Sequence, residues 1–366
     1  MKTKLLDKTL LAPYYLTLKI RHAMFNSGMR KSQTAEVPTI CIGNIAVGGT
    51  GKTPHTEMIL RTLMADPRWK GTNISVLSRG YKRDTKGFQQ VTVDGTAAMY
   101  GDEPLQIKKK FPFVTVAVDK DRNEGCRYLC HPELLQTEKK ARKCKDKNIN
   151  PASVIILDDA FQYRALKPTV SIVLVDYNRP LYKDHLMPAG RLRDIPERIY
   201  DADIVIVTKC PAYMEQEEKD QWVRDLGLKE NQKVFFTKIV YCDLEPVFPE
   251  SESRYLYSKR LILFTGIADD KPLRMYLSDN YKVVRHLTFP DHHKYTDRDM
   301  MSVKAASAAS PTAVIATTEK DSQRVKDCAK TPDSVKQRLF RAPIKVAFLS
   351  DEEKDEFRIT LQSFLK

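Results

Sequence analysis

A glycine-rich turn followed by Lys-Thr constrains this chain more than any other feature. An apolar run at residues 38–42 predicts a short buried strand, and the glycine-rich turn occupies residues 43–51. Lys52 and Thr53 then open a segment with the apolar spacing of a helix. Strand, glycine-rich turn, Lys-Thr and helix form the layout of a loop that binds nucleotide phosphates.

The chemistry of this loop suits a triphosphate. Glycines adopt positive φ readily and let backbone N–H groups surround phosphate oxygens, while the helix directs its positive end at the same place. Lys52 can neutralise the outer phosphates, and the Thr53 hydroxyl can bind Mg²⁺. The consensus has glycine where this chain has Ala46, so a plain turn that starts a helix is the alternative. We predict nucleotide contacts at Val47, Gly48, Gly49, Thr50, Gly51, Lys52, Thr53 and Pro54.

Composition narrows the class of protein. The 366 residues are enough for two domains, and 42% hydrophobic with 30% charged residues are typical of a globular chain. The net charge of +14 suits a polyanion or an anionic membrane surface without choosing between them. Seven scattered cysteines indicate reduced thiols of a cytoplasmic compartment. The spacing of Cys126, Cys130, His131 and Cys144 fits no standard zinc site.

The N-terminal residues 1–31 predict an amphipathic helix. They contain no apolar stretch long enough to span a membrane and no signal-peptide cleavage pattern. Leu11, Tyr14, Leu18 and Phe25 recur at helical spacing among basic side chains. Such a helix either lies in a membrane interface or packs on its own domain.

Two acidic pairs follow at positions where ligands gather. Asp158 and Asp159 end an apolar strand, which is where phosphate-loop ATPases hold Mg²⁺. Asp102 and Glu103 stand just before a helical segment. The second pair either caps that helix or contains a general base beside the phosphates.

Three further segments carry open alternatives. Arg79 ends a predicted strand and is either a ligand contact or part of a solvated turn. Arg193 and Asp194 belong to a segment that either binds a phosphate or forms a charged turn. His292 and His293 follow Pro-Asp and are metal ligands, a catalytic pair or a surface turn.

Strands and helices alternate in both halves of the chain, which predicts parallel-sheet α/β units. The domain organisation that we predict is an N-terminal helix at 1–31, a phosphate-loop domain at 32–238, linking strands at 239–260 and a second α/β domain at 261–366.

Together, seven motifs resemble one family, the tetraacyldisaccharide 4'-kinases (lipid A 4'-kinases of Gram-negative bacteria). The residues that carry the resemblance are 43–44 with 47–54, 78–81, 101–104, 158–162, 189–193, 289–293 and 318–321. The resemblance implies a phosphate-loop α/β/α domain and a smaller α/β/α domain joined by two linking strands. It also implies transfer of the γ-phosphate of ATP, with Mg²⁺, to the 4'-hydroxyl of the lipid A disaccharide monophosphate precursor. The implied location is the cytoplasmic face of the inner membrane, with an N-terminal helix on its surface and neither nucleic acid nor an obligate protein partner.

The resemblance also implies residue roles. Asp102 is expected to be the general base, with His292 as its partner from the second domain and Lys52 on the phosphates. The Mg²⁺ site is expected at Asp159 with Asp158, Thr53 and Glu103. The contacts expected for nucleotide or acceptor are Arg79, Arg122, Gln162, Arg193 and Asp194. The chain departs from the family pattern at Ala160, Tyr163 and Asp194, where Gly, His and Glu are common.

A second hypothesis is a phosphate-loop nucleotide switch that acts on a protein or nucleic acid. The loop and the positive charge motivate it. Residues 208–210 are only a faint echo of a guanine-reading motif, and no aromatic-basic nucleic-acid module is visible.

Overall fold

The structure is a computed structural model that describes residues 3–291, 293–328 and 330–365. The strands are β1 Thr39–Asn44, β2 Ile74–Ser78, β3 Gln89–Gln90, β4 Thr115–Val118, β5 Val154–Asp158, β6 Val170–Asp176, β7 Ile204–Thr208, β8 Lys233–Tyr241, β9 Glu245–Pro246, β10 Arg260–Thr265, β11 Lys282–Thr288, β12 Val314–Thr318, β13 Leu339–Ala342 and β14 Ile344–Phe348. The helices are α1 Leu5–Thr9, α2 Ala12–Asn26, α3 Lys52–Met64, α4 Ala97–Tyr100, α5 Asp102–Lys110, α6 Arg122–Cys130, α7 Leu134–Thr137, α8 Gln216–Leu226, α9 Lys271–Asn280, α10 Asp297–Ala308, α11 Glu319–Lys326, α12 Asp333–Lys336 and α13 Asp351–Phe364.

A large sheet organises the first part of the chain. Within the described residues its order is β14-β8-β7-β6-β1-β5-β2-β4-β3, and its central strand β1 pairs in parallel with β5 and β6. The apolar runs of β1, β2 and β5 are buried along their whole length, as strands covered on both faces require. Because these strands are parallel, their carboxyl ends meet at one edge, where ligands bind in open α/β sheets.

A smaller sheet has the order β11-β10-β12-β13-β9. Side chains of α10 and α11 cover one face, and Leu273 and Leu277 of α9 cover the other. The predicted α/β/α architecture is therefore confirmed in both parts. We call residues 32–241 and 344–365 the large unit and residues 245–342 the small unit.

Two strands link the units. β8 leaves the large unit, β14 returns to it, and they pair in antiparallel register from Thr237 opposite Phe348 to Tyr241 opposite Ile344. The helix α13 then packs on the large unit through Phe357, which contacts Phe235 and Phe348. The predicted second-domain range 261–366 and linking range 239–260 are therefore corrected, because residues 344–365 complete the large unit. The sequence contains no local pattern that predicts pairing between segments about a hundred residues apart.

The N-terminal segment forms two helices, α1 and α2, rather than one. One face is packed, with Leu18, His22 and the carboxylate of Asp7 buried against the large unit. The opposite face is open. Its apolar side chains, with their exposed fractions, are Leu5 77%, Leu10 70%, Ile20 60% and Leu16 53%. The packed face agrees with the alternative of a helix on its own domain, and the membrane interface stays a prediction. Among the described residues, no helix has the length and apolarity needed to cross a bilayer.

The aromatic cluster under α13 should set the stability of the large unit. Phe357 is fully buried, with its ring 5.2 Å from that of Phe235 and 5.0 Å from that of Phe348. We expect Phe357→Ala to lower the free energy of unfolding by about 3–5 kcal/mol, because it leaves a cavity. Chemical denaturation measures the loss. The control is Ile359→Ala on the same helix, where the side chain is 59% exposed. Equal losses for the two variants would contradict the packing described.

Candidate active site

The phosphate loop lies between β1 and α3 at the carboxyl edge of the large sheet. Gly48 and Gly51 have φ of 105° and 86°, a region that favours glycine. Ala46 is not among the described residues with positive φ, which explains why alanine is tolerated where the consensus has glycine. Pro54 is buried in the first turn of α3 and has no backbone N–H. It therefore cannot donate a hydrogen bond in its predicted contact with the nucleotide.

Buried hydrogen bonds hold the loop from behind. Asn44 Nδ2 donates to the Thr50 hydroxyl at 2.8 Å, and the Thr208 hydroxyl donates to the Thr50 carbonyl at 3.1 Å. His55 Nδ1 lies 2.7 Å from the Gly51 carbonyl, which can only accept, so Nδ1 carries the proton. Burial lowers the pKa of His55 to about 4, which keeps the ring neutral. The loop is thus held in shape before any ligand arrives.

The acidic pair after β5 divides into a buried and an accessible member. Asp158 is buried and accepts hydrogen bonds from Thr56 and Ser78, each at 3.2 Å. Burial, together with the charges of Glu103 and Asp159, raises the pKa of Asp158 to about 6. Asp159 has a φ of 49°, a strained conformation for a non-glycine residue, and lies 3.8 Å from the Lys52 ammonium. This turn aims Asp159 at the phosphate loop.

Asn44 joins the loop to the predicted ligand-contact residues. Its Oδ1 accepts from Arg193 Nη2 at 2.5 Å, and its carbonyl accepts from Gln162 Nε2 at 2.6 Å. Arg193 also forms a bidentate pair with the Asp159 carboxylate. Asn44 belongs to one of the sequence motifs, but no role was predicted for it. A buried amide at the end of an apolar strand was the available signal.

Two predicted contact residues lie behind the site. Asp194 is fully buried under α2, where it binds His22 Nε2 at 2.6 Å and the Ile195 amide at 2.9 Å. Both partners bind its Oδ1. The contact of Asp194 with nucleotide or acceptor stays a prediction. Arg122 is also buried and donates to the carbonyl oxygens of Asp119 and Asp158. It therefore supports the end of β5 rather than facing a ligand.

Arg79 is exposed where β2 ends. Because β2 pairs in parallel with β5, Arg79 follows the same edge of the sheet as Asp158. Arg79 is therefore accessible to an anionic ligand at the same edge of the sheet as the phosphate loop.

The second acidic pair faces the small unit. Asp102 is the first residue of α5, and its Oδ2 accepts from Arg324 Nε at 2.9 Å and Nη2 at 2.7 Å. Glu103 Oε1 lies 2.8 Å from the Lys320 ammonium. That ammonium holds the pKa of Glu103 below its usual range, and Lys52 acts in the same direction. These carboxylates therefore bind cations of α11. The sequence had allowed either a cap of the helix or a general base at this pair.

The loop after β11 reaches the same region. Gly266 lies between this loop and Arg324. A Cβ at Gly266 would lie 3.3 Å from the Pro290 carbonyl, and the Gly266 carbonyl accepts from Arg324 at 3.2 Å. His292, the predicted partner of Asp102, lies outside the described residues. His293 binds Asp299 at 2.9 Å, so it supports the turn before α10.

Oxygen ligands are available for a divalent cation. Thr53, Asp158, Asp159 and Glu103 offer hydroxyl and carboxylate oxygens, the ligands that Mg²⁺ prefers. No group of three or more metal-binding side chains is gathered within the described part of the chain. Arg193 and Lys320 hold two of these carboxylates instead. Since Mg²⁺ usually binds one or two carboxylates plus substrate phosphates, these residues fit an ion that arrives with a nucleotide.

Comparisons with known proteins agree on one family. A family model described as tetraacyldisaccharide-1-P 4'-kinase matches residues 5–365. The tetraacyldisaccharide 4'-kinase of Phocaeicola vulgatus is 39% identical over 341 residues, which cover 92% of this chain and 88% of that protein. That of Porphyromonas gingivalis is 37% identical over 353 residues, covering 95% and 93%. A crystal structure of LpxK from Aquifex aeolicus in complex with ATP has a TM-score of 0.70 and 26% identity, and covers 99% of this chain and 100% of that one.

Removal of the Asn44 side chain should loosen the loop and Arg193 together. We expect Asn44→Ala to lower kcat/KM for ATP by about 10–100-fold, the usual effect of losing a group that orients ligand-binding residues. Steady-state kinetics checks this, with exposed Asn148→Ala as the control at wild-type turnover. Wild-type kcat/KM in the Asn44 variant would show that the loop does not depend on this amide.

Proposed function

The chain belongs to the tetraacyldisaccharide-1-phosphate 4'-kinase family, and we propose that it transfers the γ-phosphate of ATP to the 4'-hydroxyl of an acylated glucosamine disaccharide 1-phosphate in lipid A synthesis. One observation carries this proposal: the family model covers residues 5–365, and the phosphate loop within them places Lys52 3.8 Å from the Asp159 carboxylate. Glu103, next to Asp102, interacts with the charges of both Lys52 and Asp159. A nucleotide phosphate and an acceptor hydroxyl can therefore meet between them.

In the proposed reaction, the loop amides and Lys52 stabilise the charge of the transferred phosphoryl group. Asp102 accepts the proton of the acceptor hydroxyl as the hydroxyl oxygen bonds to the γ-phosphorus, and the bond from the γ-phosphorus to the β-phosphate oxygen breaks to release ADP. His292 stays a prediction as the partner of Asp102. Arg193, which already lies beside Asp159, adds positive charge near the loop.

Mg²⁺ belongs to this proposal as a companion of the nucleotide. When bound, it neutralises charge on the phosphates. Thr53 and Asp159 are the residues that would hold it, with Asp158 behind them and Glu103 as a further oxygen donor.

The open face of α1 and α2 supports a position on the cytoplasmic surface of the inner membrane. Four exposed apolar side chains lie there beside basic residues, including exposed Lys8 and Lys19. The packed face touches the site, because the Tyr14 hydroxyl donates to the Arg193 carbonyl at 2.9 Å and Arg21 donates to the Gln162 carbonyl at 2.5 Å. A lipid acceptor held at a bilayer would thus enter beside these helices.

Family membership does not favour the nucleotide-switch hypothesis. The Lys209 ammonium of the 208–210 segment is 2.6 Å from the Asp176 carboxylate and so is already paired.

Asp102→Asn should separate chemistry from nucleotide binding. We expect turnover of the disaccharide monophosphate to fall about 10²–10⁴-fold, because the amide cannot take the proton, while ATP affinity stays near wild type. A radiolabelled-phosphate transfer assay and calorimetry with ATP measure the two quantities. Asp355→Asn, an exposed carboxylate of α13, serves as the control. Unchanged transfer in the Asp102 variant would rule out its role as base, and no transfer by the folded wild type would overturn the proposed function.

The exposed face of the N-terminal helices should determine membrane recovery. We expect the double variant Leu10→Gln and Leu16→Gln to sediment less with anionic phospholipid vesicles, since burial of each leucine favours binding by about 1.5–3 kcal/mol. Its melting temperature should stay near wild type, because both side chains are exposed. Met275→Gln with Ile359→Gln removes exposed apolar side chains elsewhere and is the matched control. Equal sedimentation of both double variants would contradict membrane contact at this face.

A further inference from the structure

Arg324 contacts the expected general base from the opposite unit. Its side chain is 5% exposed, and Nε and Nη2 both donate to the same oxygen, Oδ2 of Asp102. The two residues are 222 positions apart in sequence. The orientation of the Asp102 carboxylate therefore depends on a residue of the small unit.

The guanidinium of Arg324 is itself fixed. Its Nη1 donates to Asp321 Oδ1 at 3.0 Å and to the Gly266 carbonyl at 3.2 Å. Asp321 is fully buried, and its Oδ2 accepts from the Gly266 amide at 2.9 Å and the Thr318 hydroxyl at 2.7 Å. Because the residue after β10, the end of β12 and α11 all contribute to this network, Arg324 presents a rigid pair of donors rather than a mobile charge.

Neighbouring contacts hold α5 and α11 side by side. Lys110 of α5 lies 2.7 Å from Glu57 and 3.1 Å from Glu319, so it joins α3 to α11. Lys109 donates to Gln323 at 2.9 Å. These contacts place Arg324 at the start of α5, where Asp102 is.

We propose that Arg324 is a positioning residue for the reaction: it holds the plane of the Asp102 carboxylate across the cleft, so that the base is correctly oriented only while the two units are together. The inference rests on the proposed function. Two donors on one oxygen restrict rotation of the carboxylate, and a base displaced by about 1 Å loses on the order of 10²-fold in rate. A lysine keeps the charge but not the paired donors.

The test compares Arg324→Gln and Arg324→Lys in kinetics and in a double-mutant cycle. We expect Arg324→Gln to lower kcat about 10–100-fold with KM for ATP nearly unchanged, and Arg324→Lys to recover part of the loss. In an Asp102→Asn background, Arg324→Gln should have no further effect, because it acts through that carboxylate. Arg358→Gln, whose partner is the exposed Asp355, is the control expected at wild-type turnover.

Two kinetic outcomes would overturn the proposal: a loss that multiplies with that of Asp102→Asn, or a change confined to KM. If the glutamine variant does not fold, the lysine variant with and without Asp102→Asn decides by the same criterion. Hydrogen exchange of α5 gives a readout that needs no substrate. Faster exchange at residues 102–110 in Arg324→Gln is expected, and unchanged protection would overturn the proposal even if the wild type transferred no phosphate.

Discussion

The contact between α5 and α11 is the interaction on which the site depends. Parallel strands bring the phosphate loop and the Asp158–Asp159 pair to one edge of the large sheet, but this edge alone is open to water. The small unit closes one side of it through charged side chains, with Arg324 on Asp102 and Lys320 on Glu103. Exposed ion pairs contribute little to stability. These are partly buried and lie at the expected base, so their main effect is on geometry.

Hydrogen bonds to buried backbone and amide groups complete this geometry on the other side. Asn44 joins Thr50 of the loop to Arg193 and Gln162, and the N-terminal helix α2 contacts the carbonyls of the same two residues. Only the helix α2 therefore separates the surface that we propose to contact the membrane from the proposed phosphate-binding site. Preorganisation of this kind lowers the cost of arranging charged groups during the reaction.

The sequence predicted what is encoded locally. Apolar runs identified β1, β2 and β5, and turn chemistry identified the phosphate loop. Contacts between distant segments were not predictable in this way. For example, no sequence pattern around Arg324 indicates that it pairs with Asp102. The same holds for Asp194, whose motif pointed to a ligand while its partner His22 lies 172 positions away. The antiparallel pairing of β14 with β8 likewise has no local pattern.

The return of the chain through β14 and α13 has a consequence for synthesis. The large unit is interrupted by the whole small unit, so the residues that pair with β8 and cover Phe235 leave the ribosome after the small unit has emerged. Until then β8 presents an unpaired strand edge, which is a site for association with other chains. The small unit has its own sheet and apolar core, so it can fold before the large unit has acquired its last strand.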